Sequence, residues 1–118
     1  MPFVRIKASV PISREQEIRI RKAAGQAIAM IPGKSEAYLL LVMEDMCRIW
    51  LRGEEVPCAY IEASLFGSEH HIGYDRFSSA LTETICEVLD IPSENIYIRF
   101  DDIGTWSCGG QLIERRMI

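Results

Sequence analysis

The sequence lacks any long run of apolar residues. Its longest uncharged apolar stretch, 37–43, is far shorter than the ~20 residues that a membrane-spanning helix needs. No basic segment followed by an apolar one opens the chain, so the pattern of an ordinary secretory leader is missing. We therefore expect a soluble cytoplasmic protein without a membrane partner, and secretion without a signal peptide remains the alternative.

Clusters of basic residues are missing as well. The chain has 13 lysines and arginines against 17 aspartates and glutamates, a net charge of −4, and the basic residues are scattered. A protein that binds a phosphate backbone needs a concentrated positive surface. We therefore expect no nucleic-acid partner.

The sequence also lacks paired metal-ligand or disulfide spacings. Four cysteines occur without a C-x-x-C pair, and the two histidines, His70 and His71, are adjacent. Neighbouring histidines rarely face one metal, and the spacings fit no zinc template. A domain of 118 residues, 48% of them hydrophobic, can form a stable core without disulfides or structural metals. The sequence predicts reduced thiols, no metal and no cofactor.

Apolar periodicity predicts two helices and several strands. A capping-box pair, Ser13 and Gln16, begins a helix over 13–30, which Pro32 ends. A second helix is predicted from about 75 to 89. The predicted strands are 2–9, 37–43, 58–66 and 95–100, with a short extended piece at 47–51.

The two halves of the chain resemble each other. Each reads strand, helix, strand, and each predicted helix is followed by an Ile-Pro step, at Ile31 and at Ile91. We interpret 1–118 as one domain with pseudo-repeats at about 2–46 and 58–103. Right-handed crossovers predict an α+β fold, a duplicated βαβ with a four-stranded mixed sheet and two helices on one face. The strands have few polar positions, so we expect the uncovered face to be apolar and buried in a homo-oligomer.

Pro2 is the residue best placed for chemistry. Removal of Met1 would leave a secondary amine at the chain terminus, inside a predicted strand. An α-amine has a pKa of about 7.7–8.0, so a base at neutral pH needs a lower value. Burial beside Phe3 and a neighbouring cation such as Lys34 both act in that direction. The alternative is that Pro2 has no chemical role and is only the residue that follows the initiator methionine.

Four further residues could line a site. Lys34 lies in the turn before the second strand, where it can meet an anionic group, although loop lysines are usually solvated. Tyr38 and Tyr97 occupy corresponding predicted strands, where packing is the common role. Arg99 shares a strand face with Tyr97 and suggests a carboxylate site, with an exposed edge arginine as the alternative.

Two polar groups are assigned no part in the mechanism. Glu69, His70 and His71 fall in the loop between the halves, where polar residues are routine. Asp101 and Asp102 are adjacent in a strand and point to opposite faces, so shared acid–base work is not expected.

These features together resemble the macrophage migration inhibitory factor family of the tautomerase superfamily. The segments that carry the resemblance are Met1-Pro2-Phe3-Val4, Gly33-Lys34 with Tyr38, Pro57-Cys58-Ala59, Ser64-Leu65-Phe66-Gly67 and Asn95-Ile96-Tyr97-Ile98. They run in order over nearly the whole chain, although the stretch after Trp106 aligns poorly. The resemblance implies a homotrimer with active sites between subunits and phenylpyruvate-like keto–enol tautomerisation without a cofactor.

The resemblance also implies a role for each matched position. Pro2 matches the catalytic base, Lys34 the lysine that holds the carboxylate of a keto acid substrate, and Phe66 a residue whose backbone N–H contacts substrate. Tyr97 and Arg99 match positions contributed by the adjacent subunit. Further candidate substrate contacts are Tyr38 and, in the Phe66 motif, Ser64. The vertebrate cytokines have asparagine at the position of Arg99, so substrate choice is expected to differ.

Three alternatives remain open from the sequence. The chain could be a cytokine-like binding protein that keeps the fold with vestigial activity. It could catalyse another Pro2-dependent reaction, a decarboxylation or hydrolytic dehalogenation, which would use arginines near Pro2. A ferredoxin-like regulatory domain shares the doubled strand-helix-strand order, but gives no reason for a strand that begins at residue 2.

Overall fold

The computed structural model describes residues 2–67 and 70–114, and places six strands and two helices in this part of the chain. The strands are β1 (Pro2–Ala8), β2 (Leu40–Glu44), β3 (Ala59–Phe66), β4 (Ile96–Ile103), β5 (Thr105–Cys108) and β6 (Gln111–Glu114). The helices are α1 (Arg14–Ile28) and α2 (Tyr74–Leu89). Met1, whose removal the sequence analysis expects, and the tail residues 115–118 lie outside the described residues.

The main sheet has the strand order β2-β1-β3-β4. β1 runs parallel to β2 and antiparallel to β3, and β3 runs parallel to β4. Each half therefore contributes a parallel strand pair joined through a helix, and the two helices pack against each other. This confirms the predicted α+β fold with a four-stranded mixed sheet, and it makes β1, which carries Pro2, a central strand.

Local sequence explains where both helices begin. The hydroxyl of Ser13 accepts the Gln16 N–H, and the Gln16 side chain accepts the Ser13 N–H, so the predicted capping box is confirmed. α2 follows Gly73, which has φ +84°, and a Cβ there would collide with the carbonyl of Met30. Glycine is required at this position because the chain adopts a left-handed conformation and passes close to the end of α1.

The core lies between the helices and one face of the sheet. Alternate residues of β1 and β3 are buried, among them Val4, Ile6, Ile61 and Leu65, each at 0% exposure. They pack against the apolar faces of α1 and α2. The two-residue alternation of these strands therefore directs one set of side chains entirely towards the helices.

The other face of the sheet is not apolar, and this prediction was wrong. Arg5 and Lys7 on β1, Glu62 on β3 and Arg99 on β4 all occupy the register positions opposite to the core. Arg5 lies 4.0 Å from Glu62 and also stands over the ring of Phe3. Charged side chains therefore interrupt this face along the strands, and the face is mixed rather than continuously apolar.

Two further predictions about local structure differ from what is observed. Tyr38 lies in a single 3-10 turn, Glu36–Tyr38, and β2 begins only at Leu40, so Tyr38 and Tyr97 do not occupy corresponding strands. β2 is an edge strand, and none of its residues is buried, so the single chain does not cover it on both faces. The piece at 47–51, predicted only as extended, takes part in one isolated bridge, between Leu51 and Glu54.

The hairpin formed by β5 and β6 was not predicted. It turns at Gly109 and Gly110, both with positive φ. Its strands pair with each other in a separate two-stranded sheet, so the hairpin extends beyond the four-stranded sheet.

Within the described ranges, neither helix is long and apolar enough to cross a bilayer.

Candidate active site

Pro2 is held at the first position of the central strand. It is buried, lies on the helix-facing side of the sheet and pairs in register with Leu65 of β3. On the other side of β1, Phe3 pairs with Leu40 at the start of β2. Because neighbouring strands flank β1 on both edges, the position of the Pro2 nitrogen is fixed by the sheet.

Lys34 is directed to the same end of the sheet. It follows Gly33, which has φ +79°, in the turn after α1, and its backbone N–H donates to the carbonyl of Ile31 at 3.1 Å. Its ammonium donates to the carbonyl of Phe66 at 2.6 Å, and Phe66 is the residue after the partner of Pro2. Partial burial lowers the pKa of Lys34 from its ordinary value.

The structure therefore brings three predicted site residues together, Pro2, Lys34 and Phe66. Tyr38 lies two residues before β2, at this same end of the sheet, with 70% of its surface exposed. Ser64 faces the opposite side of the sheet, between Phe3 and Asp101 in register. The result is a basic group and a strand-terminal amide beside a buried proline, an arrangement suited to a small anion.

Tyr97 and Arg99 lie on β4, away from the Pro2 end of the sheet. Tyr97 pairs with Tyr60, which pairs with Lys7, five residues along β1 from Pro2. Five residues of strand span about 16 Å, so Tyr97 does not reach the Pro2 end of its own chain. It lines a separate cavity of about 210 Å³ with Tyr60 and the 63% exposed Trp50.

Arg99 already has partners in the single chain. Its guanidinium donates to the Tyr60 hydroxyl at 3.2 Å and to the Asp101 carboxylate at 2.7 Å. The hydrogen bond with Tyr60 and the charge of Asp101 raise the pKa of Arg99 above its ordinary value. Within the single chain Arg99 therefore contacts a surface acid, and its contact with a substrate stays a prediction.

The chain matches a known family model. Residues 1–111 match the family model described as macrophage migration inhibitory factor (MIF). The chain belongs to the MIF family. Among curated proteins, no sequence matches it.

Solved structures show how widely this MIF-family fold is shared. Leishmania major MIF2 is similar at 21% identity over 96% of this chain and 97% of that one, with a TM-score of 0.88. Pt0534 inactivated by 2-oxo-3-pentynoate is similar at 17% identity over 92% and 93%, with a TM-score of 0.80. A fused 4-OT asymmetric trimer is similar at 21% identity over 92% and 94%, with a TM-score of 0.79. At these identities the likeness shows the fold alone.

Beside the Pro2 end of this MIF-family chain lies a polar cluster that the sequence analysis did not assign. His71 Nε2 lies 2.7 Å from one oxygen of Asp102, and the Tyr74 hydroxyl donates to the other at 2.8 Å. The Tyr74 ring stacks on Phe100, with 4.5 Å between centroids. These contacts join residues about 30 positions apart in sequence, so no local sequence pattern predicts them. Asp101 and Asp102 do face opposite sides, as predicted, since Asp101 binds Arg99.

In the described part of the chain, no metal-binding cluster accompanies these groups. Across residues 2–67 and 70–114, no three histidine, cysteine, aspartate or glutamate side chains form a cluster that could hold a metal ion. The four cysteines are all unpaired. The groups gathered at the Pro2 end of the sheet are thus an imino acid, a lysine and backbone amides, which can bind an anion and move a proton.

Proposed function

We propose that this chain is a keto–enol tautomerase that acts on phenylpyruvate-like 2-keto acids, with the Pro2 amine as its base after Met1 is removed. MIF-family membership supports an isomerase of the tautomerase type. The observation that carries the proposal is the placement of buried Pro2 and the Lys34 ammonium at the same end of the sheet, where the ammonium donates to Phe66, the residue after the strand partner of Pro2. A base and a cation at one end of the sheet match a substrate that has an acidic C–H next to a ketone and a carboxylate on the other side of that ketone.

The mechanism consists of two proton transfers, the first from the substrate to Pro2 and the second from Pro2 back to the substrate. Neutral Pro2 takes a proton from the carbon next to the ketone, and the electrons of that C–H bond form the carbon–carbon double bond of the enol. The prolinium then returns the proton to the former carbonyl oxygen. Lys34 holds the substrate carboxylate, and its charge, together with the burial of Pro2, favours the neutral amine.

The assembly is part of the proposal. We expect a homotrimer in which Tyr97 and Arg99 of a neighbouring subunit complete each site, because within one chain Tyr97 lies about 16 Å along the strand direction from Pro2. The cavity formed by Trp50, Tyr60 and Tyr97 would then meet the aryl end of the substrate. The trimer of fused 4-OT, a protein of the same fold, supports this arrangement. The inactivation of Pt0534 by a 2-oxo acid supports the substrate class.

The experiment compares three forms of the chain with phenylpyruvate. A form with a free Pro2 terminus should convert the enol to the ketone by the same steps in reverse, monitored by the loss of enol absorbance. A form that retains Met1 should be nearly inert, because its Pro2 nitrogen is a tertiary amide without a usable lone pair. The Pro2→Ala variant keeps a primary amine and should lose most of the activity.

Mass spectrometry of the N-terminus accompanies each rate measurement, so that the fraction with a free Pro2 is known. Activity should follow that fraction in proportion. Equal turnover by chains that retain Met1 would show that Pro2 is not the base, and the mechanism would be abandoned.

A further inference from the structure

The cluster of His71, Tyr74 and Asp102 connects three parts of the fold. Asp102 lies near the end of β4 and pairs in register with Leu65, the strand partner of Pro2. Tyr74 is the first residue of α2, and His71 lies in the loop that leads to it. The carboxylate of Asp102 thus receives both side chains, at 2.7 and 2.8 Å, and attaches the start of α2 to the sheet at the level of Pro2.

The same segment, 71–74, also touches the turn that carries Lys34. Gly73 passes so close to the carbonyl of Met30 and to Ile31 that no side chain would fit there. Ile31 in turn accepts the Lys34 N–H at 3.1 Å. An unbroken path of contacts therefore runs from Asp102 through segment 71–74 and the end of α1 to the turn from which the Lys34 side chain projects.

We propose that His71 and Tyr74, held by Asp102, are positioning residues for Lys34, so that they set the affinity of the site for an anionic substrate. This inference rests on the role of Lys34 in the proposed function. The residues act through the backbone of segment 71–74, which supports the Lys34 turn, and none of them is required to touch the substrate.

The conformation of His71 supports a specific role. His71 has φ +58°, a left-handed backbone that a residue with a side chain adopts at some cost. Its side chain is 59% exposed, so core packing does not demand it. The hydrogen bond to Asp102 and the contact with the Tyr74 ring, at 4.9 Å between centroids, are the interactions that offset this cost.

The first test compares His71→Ala with His70→Ala as a matched control, both with a free Pro2. His70 is the exposed neighbour of His71 in the same loop. We expect His71→Ala to raise the KM for phenylpyruvate about fivefold with kcat nearly unchanged, an effect of the size seen for residues that act through a neighbour. His71→Gln, which keeps an N–H donor, should restore most of the affinity. Tyr74→Phe keeps the ring stack, loses the hydroxyl and should raise KM in the same direction.

A double-mutant cycle with Lys34→Met separates positioning from general damage. If His71 acts through Lys34, the His71→Ala change should have almost no further effect on KM once the Lys34 ammonium is gone. Additive effects of the two substitutions would overturn the proposal. So would a His71→Ala variant whose KM equals that of the His70→Ala control.

A measurement that needs no activity keeps the inference distinct from the proposed function. The backbone amide of Lys34 is hydrogen-bonded to Ile31, so its hydrogen exchange by NMR reports on the turn. Exchange should be several-fold faster in His71→Ala than in His70→Ala. If the wild-type chain lacks tautomerase activity, the proposed function fails, and unchanged exchange would in addition refute the support of the Lys34 turn by His71.

Discussion

Replacement of Lys34 by methionine tests the anion-binding half of the site. Methionine keeps an unbranched apolar stem but removes the ammonium, which donates to the Phe66 carbonyl at 2.6 Å. A hydrogen bond that involves a charged group contributes about 1.5–3 kcal/mol, and each ~1.4 kcal/mol is a factor of ten in affinity. If Lys34 makes one such bond to the substrate carboxylate, KM for phenylpyruvate should rise about 10- to 150-fold.

The assay pairs the acid with its neutral methyl ester. Lys34→Met should raise KM for phenylpyruvate and leave KM for the ester almost unchanged, because the ester has no carboxylate to lose. Lys34→Arg, which keeps the charge with a different donor geometry, should fall between wild type and Lys34→Met. An equal rise in KM for acid and ester would refute the role of Lys34 as the carboxylate ligand.

The lowered pKa of Lys34 gives the same prediction a pH dependence. Affinity for the acid should begin to fall at a pH below the ordinary lysine pKa of about 10.4, because the ammonium loses its proton earlier. In the window between the lowered pKa and about 10.4, the unfolded chain binds more protons at this site than the folded chain. The free energy of unfolding should therefore rise with pH there relative to Lys34→Met, and denaturant titrations at several pH values measure it. A flat difference would contradict the burial of the ammonium.

Three further outcomes are expected. Asn95→Ala should lower the free energy of unfolding, measured by urea titration, by about 1–3 kcal/mol. The reason is that Asn95, only 6% exposed, donates to the Pro57 carbonyl and accepts from Arg52. A loss below about 0.5 kcal/mol would contradict this prediction. Arg99→Asn should alter the ratio of kcat/KM between aryl and acidic keto substrates, and an unchanged ratio across such a panel would reduce Arg99 to the structural pairing with Asp101. Light scattering in dilute buffer should give about three times 13.4 kDa, and a stable monomer would rule out sites shared between subunits.

The sequence predicted the elements whose signals are local. The capping box of Ser13 and Gln16 and the apolar spacing placed α1 within two residues at each end. Periodicity also located α2 and the central strands. It failed at 37–43, because an apolar run specifies burial without specifying a backbone shape, and the turn at Glu36–Tyr38 delays β2 to Leu40.

The sequence predicted only those parts of the candidate site that depend on neighbouring residues or on the family resemblance. Pro2, Lys34 and Phe66 do meet at one end of the sheet, since the parallel pairing of β1 and β2 brings the turn before β2 towards the start of β1. The partner of Arg99 was missed, although Asp101 lies two residues away on the same strand face. The His71–Asp102 contact could not be foreseen, because it depends on how a long loop returns to the far end of β4.

The central place of β1 links the position of Pro2 to the whole fold. Chain ends usually fray at little cost, yet Pro2 opens a strand that is paired along both edges with residues about 40 and 60 positions away. The Pro2 end cannot loosen without breaking contacts that also hold the sheet together. A molecule in which β3 has separated from β1 therefore no longer holds Pro2 in place, so cleavage or thermal opening of β3 removes Pro2 from its position beside Leu65.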